Sequence, residues 1–498
     1  MRNRLGRKGL LSAAVALASA VAALGGEVAS AQVLLPGVDP GPIPSANSGG
    51  FAQFEGEAVE PDPFSFPETP EHPFMAPNGK SNIHVDAFQT DTNTIPGPLG
   101  ETATDSIYFV HECASITFDS QGRIVSICVG LERPILALLN PDTLVPLATY
   151  ELPPRQIDPG GNPFTDFSGG GYFYLDDQDR AVMPTAERHV LVIGQTDEPD
   201  FEVVEDYDLN GVVASDDKVI SALPDWKGRI WFISVDGVVG WISPGSGAIH
   251  SKDLGDAIGN SFAVDEKGSV YVVTDAALYR LRAKKGKVRE EWRRKYPNTG
   301  DVKPGQTQAG SGTTPTLLAG GKLVAITDNA DPMNVHVYRR AVHTKAKRRV
   351  CKEPLFEPGA SATDQSLIGA GRSIIAENNY GYSIPATQGG GTSTPGLQKV
   401  KVNKKLDDCR TVWRSEEIAP SVVPKASAKT GLVYTYTKPG GTGDPWYLTA
   451  LDFRTGETRW KRLAGTGLGF NNNYAPITIG PDGRIYLGVL GGLVAFFP

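Results

Sequence analysis

One short phrase recurs along the chain, and its spacing limits the possible folds more than any other feature. It reads Ser115-Ile-Thr-Phe-Asp-Ser-Gln-Gly-Arg-Ile-Val-Ser-Ile127, then Ser261-Phe-Ala-Val-Asp-Glu-Lys-Gly-Ser-Val-Tyr-Val-Val273, and finally Ala475-Pro-Ile-Thr-Ile-Gly-Pro-Asp-Gly-Arg-Ile-Tyr-Leu-Gly-Val489. Each copy predicts a strand, a polar turn with Gly and a second strand, followed by a loop and a third strand. Copies start near Ser115, Tyr172, Ser221, Ser261, Thr314, Ser366, Ser421 and Pro476, at spacings of 40 to 57 residues. That is the length of a four-stranded blade, so the sequence predicts an all-β, eight-bladed β-propeller over residues 81–498.

The eighth copy ends at Pro498, directly after its third strand. An open ring leaves an unpaired edge, so a strand from elsewhere is expected to close it. Asn82-Ile-His-Val-Asp-Ala-Phe88 is the expected donor, which makes this a ring closed by an N-terminal strand. Ahead of it, residues 32–80 are rich in Pro, Gly and acids and read as an extended tether or surface strap.

The segment from Met1 to Ala31 reads as a cleavable signal peptide. A basic start (Arg2, Arg4, Arg7, Lys8) precedes an apolar run from Leu10 to Leu24, and small residues end at Ala31. The run is short for a bilayer span, and no other segment is a candidate span. The expected location is therefore secreted or periplasmic. An even number of cysteines suits an oxidising compartment. Four cysteines permit three pairings. Cys113 and Cys128 fall on adjacent strands of one repeat, which favours Cys113–Cys128 with Cys351–Cys409.

A formal charge of −8, from 48 basic and 56 acidic residues, argues against nucleic-acid partners. Two basic stretches, Arg280 to Lys295 and Arg339 to Lys352, fall on predicted outer strands and read as solvated edges that block aggregation. A monomer is expected. Tryptophans are expected between blades, with Trp446, after the glycine-rich loop 438–445, as a binding-surface exception.

Ala450-Leu-Asp-Phe-Arg-Thr-Gly-Glu-Thr-Arg-Trp460 resembles the tryptophan-docking repeat of the quinoprotein-like propellers. Lys399 to Trp413 is a weaker echo. The resemblance implies that the Thr-Gly turn joins outer strands and that the Trp packs between blades. In the dehydrogenases of that family, pyrroloquinoline quinone (PQQ) sits on Ca²⁺ against a disulfide of adjacent cysteines. This chain has no adjacent cysteine pair and no Cys-x-x-Cys-His haem motif, so neither PQQ nor haem is expected.

Aligning the copies places acids on one face, in the loops after the second strands: Glu132, Glu187 with His189, Asp236, Asp275, Asp328 and Glu377. Loops entering the first strands add Glu112, Asn260, Asp364 and Asn472. Turn chemistry accounts for many of these residues. Two loops are denser than a turn needs. Asp328, Asn329 and Asp331, with Glu377, Asn378 and Asn379, are candidate Ca²⁺ ligands, because hard oxygens suit that ion. Glu112, Glu187, His189, Asn260 and Asn472 are candidate ligand contacts. In the second copy, Asp177 or Asp179 is expected to pair with Arg180. Two functions follow: a binding or scaffold module with a small-molecule or protein ligand at the channel mouth, or a Ca²⁺-dependent, lactonase-like hydrolase by fold-level analogy.

Overall fold

The repeat turns of the first three copies are held by one device. Asp119, Asp176 and Asp225 each accept the backbone N–H groups two and four residues on, and each binds the Arg four residues on, at 2.7 Å from its Nε (Arg123, Arg180, Arg229). The left-handed position is taken by Gly122, Asp179 and Gly228. Arg180 therefore pairs with Asp176 rather than Asp177 or Asp179, because only the first residue of the turn faces back across it. Asp179 instead accepts a hydrogen bond from the Ser120 N–H of the neighbouring blade.

Such turns stitch antiparallel strands into eight sheets in a computed structural model that describes residues 34–46, 49–157, 161–166 and 168–498. Blade 1 runs outward from Glu112–Phe118 to Pro146–Glu151, and blade 2 from Tyr174–Leu175 to Phe201–Asp208. Blades 3 and 4 start at Val219–Pro224 and Ala263–Val264 and end at Ala248–Asp253 and Lys287–Lys295. Blades 5 and 6 run from Thr316–Leu318 to Arg349–Pro354 and from Ile368–Ala370 to Cys409–Ser415. Blade 7 runs from Lys425–Ser427 to Thr458–Thr466, and blade 8 begins at Ile477–Ile479. The eight-bladed propeller is the observed fold. The expected signal peptide lies outside the described residues. Among the described residues, no helix is long and apolar enough to cross a membrane.

The ring closes by a different segment from the one expected. Ala103–Tyr108 pairs antiparallel with Gly492–Phe497 and supplies the outer strand of blade 8. Residues 82 to 88 are not that strand. They belong to a stretch, Ser81 to Asn93, that is buried throughout and lies inside the channel. Its carbonyls accept hydrogen bonds from the innermost strands of five blades. Leu175 donates to Ser81, Val264 to Ala87, Leu317 to Phe88, Gly369 to Thr90 and Ala426 to Asp91, at 2.9 Å, 2.9 Å, 2.9 Å, 2.8 Å and 3.0 Å. Val85, Gln89 and Asp91 all adopt positive, left-handed φ, which curls the segment around the ring axis. A buried charged node fixes it. Asp91 takes Lys425 Nζ from blade 7 and lies 3.1 Å from His84 Nδ1.

Before reaching the channel, the chain crosses the face that carries the repeat turns. Asp62 and Phe64 bond the blade 7 turn. Phe64 stacks on Phe453 at 3.8 Å, and His72 packs on Trp226 of blade 3 at 3.9 Å. Phe54–Gly56 adds a further edge strand to blade 7.

Blades are fastened to each other by the outer tryptophans. Trp413 of blade 6 donates to Phe453 O of blade 7 at 3.1 Å and covers Gly456, where a Cβ would collide with its ring. The Thr-Gly turn and the Trp of the resembled repeat thus meet across a blade joint. Trp446 is buried and stacks on Tyr436, not on a binding surface, because it sits within the third strand of blade 7. One disulfide, Cys113–Cys128, lies within blade 1. The other, Cys351–Cys409, joins the outer strands of blades 5 and 6. The basic stretches lie mostly exposed on outer strands. Arg280 and Arg340 are turned inward instead, to Asp265 at the joint of blades 4 and 5.

Two substitutions test this account. Ile107→Asp buries a carboxylate at the seam and is expected to cost roughly 3–5 kcal/mol in guanidinium unfolding. Lys425→Met leaves Asp91 without its cation and is expected to cost about 3–5 kcal/mol. Most of that loss returns in Lys425→Met/Asp91→Leu. Additive losses in the double variant would contradict the buried node.

Candidate functional site: a cup above the channel plug

On the other face, where loops enter the innermost strands, the channel widens into a cavity of about 300 Å³. Ile83 and His84 of the plug form its floor. His84 Nε2 lies 3.3 Å from Ser366 Oγ and 3.4 Å from Thr314 Oγ1, which ties the floor to blades 5 and 6. Most of the wall is apolar or aromatic. Phe109 precedes blade 1, Phe164 and Tyr172 precede blade 2, and Tyr474 precedes blade 8. Asn473 and Tyr474 both hold positive φ, a strained pair of non-glycine residues set in the wall of the cup.

Among the described residues, two carboxyls line this wall without a cation within ion-pair distance. Glu112 receives only Asn473 Nδ2 on Oε2 at 3.4 Å, and its Oε1 is buried with no hydrogen-bond partner. Burial pushes its carboxyl well above the ordinary range, against the pull of Asn473 and Arg155. Asp364 accepts the Thr307 N–H at 3.0 Å and the Thr307 hydroxyl at 2.7 Å. Burial still raises it to about 7. The cations nearby are occupied. Arg155 donates to the carbonyls of Gly130, Pro163 and Asp166, leaving only Nε without an acceptor. Lys218 holds Asp166 at 2.9 Å. Burial works against the Asp166 carboxylate, but Ser168 and Lys218 outweigh it and hold it below the ordinary range.

The structure distributes the expected site residues unevenly. Glu112 lines the cup. Asn260 stands behind it and accepts the Tyr172 hydroxyl at 3.2 Å. Asn472 ties blade 7 to blade 8 through Ser421 Oγ and Ala475 O. Glu187 is exposed, and His189 pairs with Asp206 at 2.6 Å along blade 2; neither lines the cup.

The expected calcium ligands other than Asn329, whose buried Oδ1 has no partner, accept protein donors. Asp328 accepts from the N–H groups of Ala330 and Asn334 and from Asn334 Nδ2, with His336 Nε2 at 2.8 Å. Asn329 Nδ2 donates to Asn298 Oδ1 and Asp301 O, and Asp331 receives the Gly359 N–H. Asn378 bonds Ala360 and Ala362. Asn379 Oδ1 accepts the N–H of Asp364, and its Nδ2 donates to Glu377. Glu377 is buried and raised well above the ordinary range by that burial. Among the described residues, no three His, Cys, Asp or Glu side chains are grouped to hold a metal ion.

Arg155 and Phe164 could not come from aligning repeats, since they lie in the long loop between copies one and two. Tyr172 and Asp364 sat at aligned positions, but the pattern there reads as strand and turn.

No family model matches the chain. An uncharacterized protein of Archaeoglobus fulgidus is 30% identical over 314 residues, 56% of this chain and 61% of that protein. The chain thus spans less than two thirds of that relative's length. The quinohemoprotein alcohol dehydrogenase of Comamonas testosteroni superposes with a TM-score of 0.54 at 12% identity, covering 85% of this chain and 80% of that one. BamB of Moraxella catarrhalis gives 0.46 at 12% identity, over 77% and 91%. The fold is that of the quinoprotein-like eight-bladed propellers. Neither disulfide joins adjacent cysteines, so the residues here do not fit the quinone platform of that family's dehydrogenases.

The raised carboxyl gives a pH test. Burial holds the Asp364 proton to about pH 7 in the folded state, whereas the exposed carboxyl of the unfolded chain ionises near its ordinary value of 3.8. The folded state therefore binds more protons in that window, and the carboxyl costs stability as pH rises through it. Asp364→Asn removes the cost and is expected to gain roughly 1–3 kcal/mol over wild type at about pH 8 relative to about pH 5. An equal difference at both pH values would contradict the burial of an ionising group.

Proposed function

We propose that this protein is an exported binding protein whose small ligand seats in the cup. The observation that carries the proposal is the cup itself. It is closed below by the plug, walled by aromatic side chains and lined by polar groups that lack hydrogen-bond partners among the described residues. Such groups cost free energy when buried alone, and a ligand that meets them recovers it. Export is supported by the leader-like segment from Met1 to Ala31 and by the two disulfides. The scaffold suits binding, because eight blades hold the loop face rigidly around one axis.

Titration with N-phenyl-1-naphthylamine, a neutral fluorescent amphiphile, tests this reading. One probe per protein is expected, with fluorescence rising on binding. Ala114→Trp and Leu490→Phe each place bulk in the wall and are expected to weaken binding at least tenfold while leaving the melting temperature within a few degrees. Wild-type protein that leaves the probe dark would overturn the proposal. So would equal binding by either folded variant.

A further inference from the structure

We propose that the cup selects a small organic ammonium ion that also carries a hydrogen-bond acceptor. This deepens the reading of the cup as a binding site and rests on it.

The argument is a charge balance around one cavity. Among the described residues, two basic groups reach the lining, and each is already engaged. His84 lies against Asp91, which also takes Lys425. The terminal nitrogens of Arg155 donate to three carbonyls. Of the three lining acids, Asp166 has Lys218. Glu112 and Asp364 have no such cation, and Glu112 Oε1 has no hydrogen-bond partner although the residue is 8% exposed. Two buried carboxyls thus line one cavity with no cation within ion-pair distance among the described residues, and Arg155 acts on Glu112 only from a distance. A neutral ligand leaves both carboxyls held in their protonated form by burial, whereas a cation beside them lets them ionise and gains the ion pair.

The walls decide which kind of cation fits. A metal ion wants several hard oxygens converging on a point, and the described lining does not group three such side chains. Aromatic rings suit an organic ammonium, whose diffuse charge is attracted to ring faces. Phe109, Tyr172 and Tyr474 share the lining with the two carboxyls, and the strained backbone at Asn473 and Tyr474 sets one of these rings in place. A cavity of about 300 Å³ admits a trimethylammonium head with a short tail. Elsewhere in the lining, the Arg155 Nε hydrogen, buried and without an acceptor, calls for one on the ligand.

Choline and its carbon isostere 3,3-dimethyl-1-butanol share shape and hydroxyl and differ only in charge. Calorimetric titration of the full chain with each is the test, alongside the naphthylamine probe. Choline is expected to bind at least tenfold more tightly than the isostere and to displace the probe. Glu112→Gln is expected to remove most of that tenfold preference while still binding the probe, and Asp364→Asn to reduce it. Equal binding of choline and isostere would overturn the ammonium assignment and leave the cup standing. Probe binding with no displacement by choline would do the same. Failure of the probe as well would overturn both.

Discussion

The hydrogen bonds between the channel segment and the innermost strands are the constraint on which the rest of this molecule depends. Eight blades around one axis leave a hole too wide for side chains to fill. The innermost strands would also face it as edges with unpaired N–H groups. Ser81 to Asn93 meets both problems with backbone. It offers its carbonyls to blades 2, 4, 5, 6 and 7 in turn, and its left-handed residues make the curvature feasible. Lys425 and His84 then hold Asp91 in a place where an isolated carboxylate would be prohibitive.

This plug makes a cup out of a tunnel. With one mouth closed, whatever enters must come and leave by the loop face and end against Ile83 and His84. The floor and walls then come from distant parts of the chain: the N-terminal segment below, the loop between blades 1 and 2 on one side, and the approaches to blades 6 and 8 on the other.

Much of the architecture was legible because the same turn chemistry recurs. The Asp that opens the turn caps two N–H groups and an Arg in blades 1 to 3, so the phrase reappears where a first strand meets a second. The face on which the loops entering the first strands gather was legible for the same reason. The closing strand was not. Ile83, Val85 and Ala87 alternate like an edge strand, and nothing in their pattern betrays the left-handed Val85 that takes them off that path. The acids of blades 5 and 6 have a structural role that the alignment did not show. Alignment put them correctly on the loop face, but loops need internal fasteners, and Asp328 and Asn379 serve as these. Glu112 differs from them in having one carboxyl oxygen, Oε1, without a donor, a property of its neighbours that no single position encodes.

The seam in blade 8 has a meaning beyond geometry. Pairing Ala103 with Phe497 closes a loop of nearly the whole propeller. Because loop entropy grows only with the logarithm of length, closing a loop roughly ten times longer than one blade costs about 2 kcal/mol more than joining the ends of that blade. The paired positions along the seam and the apolar contacts of Ile107 readily offset that at equilibrium. The time needed is another matter, since contacts so far apart in sequence are slow to meet. Closing the ring is therefore thermodynamically cheap and kinetically remote. Until the seam closes, the blades lack the circular restraint that it imposes on them all.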